Sequence, residues 1–222
     1  MQRVHRHPRK APAATRDRTL RQSSARPPDA HQKAGCPAEG RGPHVSRYRK
    51  GGSMSAVISP CGRFRFRLER EVEYTGKTFA YFGVNPSTAD ATVNDATVRK
   101  WIGFTRRNGG RRFIVGNVSA LRATDVRDLE LVLVSPSEAR ANLTHLQQII
   151  ADADVLVPCW GNRSKAPKHM RGDFDTLMAM LLNSGKPVLC FGRTNSGDPK
   201  HPLMLAYSTA LTPWSTQQRQ EG

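Results

Sequence analysis

Apolar and polar positions between residues 54 and 214 fall into short runs separated by turn residues. Arg63-Phe64-Arg65-Phe66-Arg67-Leu68 alternates basic and apolar side chains, which predicts a half-exposed strand of period two. Thr75-Gly76-Lys77 offers a turn, and residues 78–84 are apolar on both faces, as in a central strand. Asn94 and Asp95 precede Val98, Trp101, Ile102 and Phe104, whose spacing predicts a capped helix that Asn108-Gly109-Gly110 ends. A strand is predicted over 112–118. A helix follows over 137–151, with Ser137 able to cap it and Leu143, Leu146, Ile149 and Ile150 on its apolar face. Residues 153–160 read as a buried strand, 174–182 as a helix and 187–192 as a further strand.

Strands and helices therefore alternate. That order predicts an α/β fold: a three-layer α/β/α sandwich whose central sheet is mainly parallel. In such folds ligands sit beyond the carboxyl ends of the strands. Four loops begin there, after Val84, Val118, Trp160 and Gly192.

The first 53 residues differ in kind. They are rich in Arg, Pro, His, Gly and Ser and lack periodic apolar positions, so disorder is expected. They hold 13 Lys and Arg against 3 Asp and Glu, within a formal charge of +17 for all 222 residues. A basic arm for nucleic acid or an acid-poor transit peptide fits this composition. So does an untranslated leader: codons for Lys50-Gly51-Gly52 can spell a ribosome-binding sequence shortly before Met54, and translation is expected to start there. The expected organisation is a basic segment over 1–53, one domain over 54–214 and a flexible tail over 215–222. Residues 54–222 remain basic, 22 against 15, which suits a polyanionic partner or simply a solvated surface.

No apolar run is long enough to span a membrane, and no apolar leader is present, so no membrane partner is expected. Cys36, Cys61, Cys159 and Cys190 form no paired motif. Their spacing argues against a disulfide framework or an iron–sulfur site and fits a reducing cytoplasm. No metal and no cofactor is called for. The oligomeric state is not legible.

Candidate chemistry lies in the four loops. The first holds Asn85, Pro86, Ser87, Thr88, Asp90 and Asp95. Proline restricts Asn85, while hydroxyls and amides beyond it can meet an anion or a polar ligand, although an ordinary strand–helix turn has the same composition. Asn117, at the end of a strand, carries a donor and an acceptor that can read an amide-like edge such as a pyrimidine, or simply bond nearby backbone. Arg122 and Asp125 are expected to pair with each other. Trp160, Gly161 and Asn162 open the third loop, with Arg163, Lys165, Lys168 and His169 behind them. The fourth holds Arg193, Thr194 and His201-Pro202-Leu203; prolines at 199 and 202 confine His201, which can donate to developing negative charge.

Taken together, Cys61-Gly62-Arg63-Phe64-Arg65-Phe66, Asn85-Pro86-Ser87-Thr88-Ala89-Asp90, Arg122-Ala123-Thr124-Asp125, Trp160-Gly161-Asn162 and His201-Pro202-Leu203 resemble the bacterial and phage family known as domain of unknown function 1643. That family carries no established activity. More remotely, the order of motifs is similar to the uracil-DNA glycosylase superfamily. Gly83-Val84-Asn85-Pro86 resembles its first loop, Val115-Gly116-Asn117-Val118 its base-reading strand, Trp160-Gly161-Asn162 its third strand end, and His201-Pro202 its closing loop. The resemblance implies a uracil-DNA glycosylase-like fold preceded by an N-terminal β-hairpin. It implies a nucleic acid or nucleotide partner, a base bonded by Asn117, a donor in His201 and a water placed by Asn85. Asn stands at 85 where a stronger base would be Asp, and Leu203 replaces a serine, so binding is expected ahead of base excision. A non-catalytic accessory module and an enzyme acting on a small phosphorylated metabolite are the other readings.

Overall fold

The structure, a computed structural model, describes residues 44–49, 53–87 and 89–215, with side chains from residue 54 onward. All of them lie in the compact unit Ala34–Gly222. The expectations for residues 1–43 and 50–52, for Thr88 and for 216–222 fall outside the described residues.

Six strands form one sheet: β1 His44–Arg49, β2 Ser53–Ile58, β3 Arg65–Glu71, β4 Lys77–Gly83, β5 Gly110–Asn117 and β6 Val155–Pro158. Their order is β1-β2-β3-β5-β4-β6. The first strand falls within the segment whose composition predicts no regular structure, and it pairs antiparallel with β2 from His44 opposite Ile58 to Arg49 opposite Ser53. The helices are α1 Ala96–Arg107, α2 Pro136–Asp152 and α3 Arg171–Leu182. A separate ribbon pairs β7 Leu189–Cys190 with β8 Thr212–Pro213.

The sheet is mixed, which corrects the expectation of a mainly parallel one. Strands β1, β2 and β3 are antiparallel to their neighbours, and only β5, β4 and β6 run parallel side by side. Residues 72–76 are too few to hold the crossover that parallel partners need, so β4 leaves β3 in the opposite direction. β5 then inserts between them, pairing Leu68 with Val115 on one side and Gly83 with Asn117 on the other.

Side-chain alternation sorts the core into two clusters. Phe79, Tyr81, Phe113 and Val115 join Val98, Trp101 and Phe104 of α1 on one face. Ala80, Phe82, Ile114 and Leu156 join Leu146 and Ile149 of α2, and Phe174 and Leu177 of α3, on the other. The continuous apolar run of β4 follows from this: both of its faces are covered.

Local signals account for the helix ends. Asp95 Oδ1 accepts from Val98 N at 2.8 Å and starts α1. α2 starts earlier than the apolar pattern suggests, because Ser135, not Ser137, is its cap. Ser135 and Glu138 form a reciprocal capping box, and Pro136 occupies the first turn, where its missing N–H costs nothing. The half-exposed strand of alternating charges is corrected at Arg65, only 3% exposed, and Arg70 is buried as well. Cys159 and Cys190 are buried free thiols. Cys61 is disulfide-bonded, which departs from the expectation drawn from spacing, since separation along a chain does not report proximity in the fold.

Candidate functional site

The parallel strands β5, β4 and β6 end together at Asn117, Gly83 and Pro158. Val188 forms a parallel bridge to Leu156, so the segment leading to the fourth loop continues the row. Backbone bonds join the loops that follow. Ser119 N donates to Val84 O at 2.8 Å, Ala123 N to Pro86 O at 2.9 Å, and Gly161 N to Pro199 O at 2.8 Å. The carboxylate of Asp198, 7% exposed, accepts from Arg163 N at 3.0 Å and ties the third loop to the fourth.

Asn85 is held on the first loop by its amide. Its Nδ2 donates to Ala123 O at 2.7 Å and to Pro86 O at 3.1 Å, so Oδ1 points away from both carbonyls. Pro86 is buried behind it, and Ser87 is half-buried. Ser87 borders a groove of about 480 Å³ whose other walls include Gly62, Arg122, Thr124 and Asp128. The pairing of Arg122 with Asp125 expected from sequence is not formed. Asp125 is held by Arg127 at 2.5 Å, and Arg122 reaches Gly62 O at 3.3 Å, leaving its charge over the groove.

Asn117 is 3% exposed, and among the described residues its Nδ2 has no hydrogen-bond partner. Its Oδ1 lies 2.9 Å from where a Cβ on Gly83 would stand, closer than a real Cβ tolerates. A glycine at the end of β4 thus makes room for the amide at the end of β5. The backbone carbonyl of Asn117 accepts from Asn142 Nδ2 at 3.1 Å.

His201 precedes a short 3-10 turn, and its Nδ1 accepts from Leu203 N at 3.3 Å. That bond assigns the proton of the neutral ring to Nε2. Burial lowers its pKa below the ordinary histidine value, and Asp95 opposes the shift. Gly161, at φ +78°, lies under it: a Cβ there would stand 3.2 Å from His201 Cβ. Asp95 therefore links α1, the first loop and His201 electrostatically.

Other predicted residues serve the scaffold. Burial alone would raise the Asp90 carboxyl, but bonds from Thr92 N, Thr92 Oγ1 and Val93 N lower it; it closes a turn. Trp160 is buried against Phe174 in the face that α2 and α3 cover. Asn162 caps its own turn through Ser164 N. Arg193 lies 3.7 Å from the Trp214 ring and bonds Ser215 O. Thr194 closes a turn with Asp198, and Pro202 is buried at the turn after His201. Asn85 and Asn117 thus remain at the ends of β4 and β5, with His201 over Gly161 beyond the end of β6.

Two arginines were missed from sequence. Arg65 Nη1 donates to Ala89 O at 2.6 Å. Arg70 donates to Asn94 Oδ1 at 2.7 Å and to the carbonyls of Asp90 and Val93. Together they hold the first loop against the sheet. Burial depresses both to about 10, with the carboxylates of Asp95 and Asp90 opposing. For Arg65 the alternating strand was the only signal, and it pointed outward; Arg70 lay beyond the alternating stretch. Cys159, in the third strand end, is pushed up to about 12 by burial and is no nucleophile at neutral pH. Among the described residues, no three His, Cys, Asp or Glu gather to hold a metal ion. No helix there is long and apolar enough to cross a membrane.

A family model described as a protein of unknown function, DUF1643, matches residues 65–203. No curated protein and no solved structure matches the chain significantly.

Proposed function

The chain belongs to this family, and from that premise we propose that it binds a nucleobase, carried by a nucleotide or a nucleic acid, at the carboxyl ends of β4, β5 and β6. One observation carries this reading. Asn117 keeps an amide N–H edge buried and unpartnered beside a glycine, at the place where α/β folds take ligands. A buried donor without a partner costs about 1–3 kcal/mol, which a base carbonyl would offset. The groove beside Ser87, with Arg122 and Thr124, suits the attached phosphate. Helices on both faces of the parallel strands agree with a three-layer arrangement of the uracil-DNA glycosylase kind.

A second reading, cleavage of the N-glycosidic bond, is favoured by the tautomer of His201. A neutral ring with Nε2–H can donate to a pyrimidine carbonyl as negative charge develops on the departing base. Asn85 Oδ1, its amide fixed by two carbonyls, can accept from the water that adds to the sugar carbon. A neutral amide orients that water without strongly deprotonating it, so slow chemistry is expected.

The test uses the full chain with single- and double-stranded oligonucleotides carrying uracil, hypoxanthine or other modified bases. Anisotropy should show binding that weakens as salt rises. Asn117→Asp, which removes the N–H edge, should weaken it by about tenfold or more. Base release, if present, should fall by about 100-fold or more in His201→Gln with affinity retained. Failure of every oligonucleotide and nucleotide to bind better than inorganic phosphate would overturn the reading in favour of a phosphorylated metabolite or a protein partner. Binding without release leaves a non-catalytic module.

A further inference from the structure

A second cavity lies on the face of the sheet that α1 does not cover. It measures about 540 Å³ and opens between α2, α3 and residues 118–134. That size is typical of a small-molecule site. Leu129, Leu146, Met170 and Leu177 give it apolar walls. Leu143, 40% exposed, and Leu133, 97% exposed, carry the apolar lining out to the surface. His169 and Asp173 stand at its rim.

Asn142 lines this cavity and is 7% exposed. Its Nδ2 donates to Asn117 O at 3.1 Å and Val118 O at 3.0 Å. Two carbonyl acceptors on one nitrogen fix which end of the amide is which. Its Oδ1 is buried and, among the described residues, has no partner. Asn142 thus brings a partnerless acceptor, itself covered, to the lining of a cavity that is otherwise mostly apolar. Such a pairing of an apolar lining with one placed polar atom is how small-ligand sites combine affinity with orientation.

We propose that this cleft binds a small molecule with an apolar body and a hydrogen-bond donor, an aryl or alkyl amide or amine, whose N–H meets Asn142 Oδ1. The site borders the base site, since Asn142 Nδ2 bonds the backbone carbonyl of Asn117, but it uses a different polar group and none of the side chains of Asn85, Asn117 or His201. Its failure leaves the nucleobase reading untouched, and the reverse holds as well.

The probes are benzamide and methyl benzoate, which share an aryl body and differ in the donor. Each is titrated into the full chain and followed by backbone amide NMR shifts. Benzamide should move signals of residues 118–121 and 139–146 and bind about tenfold or more tighter than the ester, the worth of one buried hydrogen bond. Asn142→Leu should abolish that preference. Because it also frees two backbone carbonyls, Ala139→Trp provides the independent variant. Ala139 is exposed on α2 and lines the cleft, so the indole should block both probes while the melting temperature holds. Equal affinity for the two probes, benzamide binding that survives Ala139→Trp, or no shifts at millimolar benzamide would each overturn the proposal.

Discussion

At the scale of single residues, the amide of Asn85 shows how a loop side chain acquires direction. Its two N–H groups are spent on Ala123 O and Pro86 O, so the first and second loops are latched by one side chain. Asn85→Asp would place a carboxylate oxygen against two carbonyls. It should cost about 1–3 kcal/mol in urea unfolding, with the second loop loosening first in hydrogen exchange. Introducing the stronger base is therefore expected to weaken the loop that must hold it. Asn85 was legible as a candidate because it precedes proline at a strand end. Its latch was not, since Ala123 is a partner chosen by the fold and carries no sequence signal.

At the scale of elements, the first loop depends on β3 rather than on its own turn residues. Arg70 gathers Asn94 Oδ1 and the carbonyls of Asp90 and Val93, and Arg65 holds Ala89 O. Arg70→Met keeps the stem but leaves these partly buried acceptors without their donor. A loss of about 2–4 kcal/mol in denaturant unfolding is expected, together with faster exchange across residues 89–94. Gly161 plays a comparable part between the third and fourth loops. Gly161→Ala meets a left-handed backbone and the His201 Cβ at once, and should cost about 1–2 kcal/mol and disturb His201. Periodicity located β3 and its buried Phe66 and Leu68 but put Arg65 outside, because alternation assumes that charged positions face water. Buried arginines break that assumption when a loop brings carbonyls to them.

At the scale of the whole molecule, two half-buried histidines make stability depend on pH. Burial lowers His201, with Asp95 opposing, and burial lowers His145, with Arg67 adding to the shift. For each, the unfolded chain binds a proton more readily than the folded one. Stability is therefore complete above the unfolded value of 6.5 and is lost as pH falls below it, levelling off once the folded ring is also protonated. Thermal melts between pH 8 and pH 5 should show this decline, and His201→Gln should reduce it in part, with His145 supplying the remainder. Local sequence carried the helices, the strands β3 to β6 with their apolar centre, and the polar residues in the loops that follow, but not β1 or β2. Those rest on local periodicity, capping and turn chemistry. Tertiary structure alone decided strand direction, because the link of residues 72–76 and the insertion of β5 are matters of topology. It also decided which polar residues are spent and which are left open. Asp90, Thr194 and Asn162 close turns, whereas Asn117, Asn142 and His201 keep unspent groups, since hydrogen-bond satisfaction depends on neighbours that only the folded chain assembles.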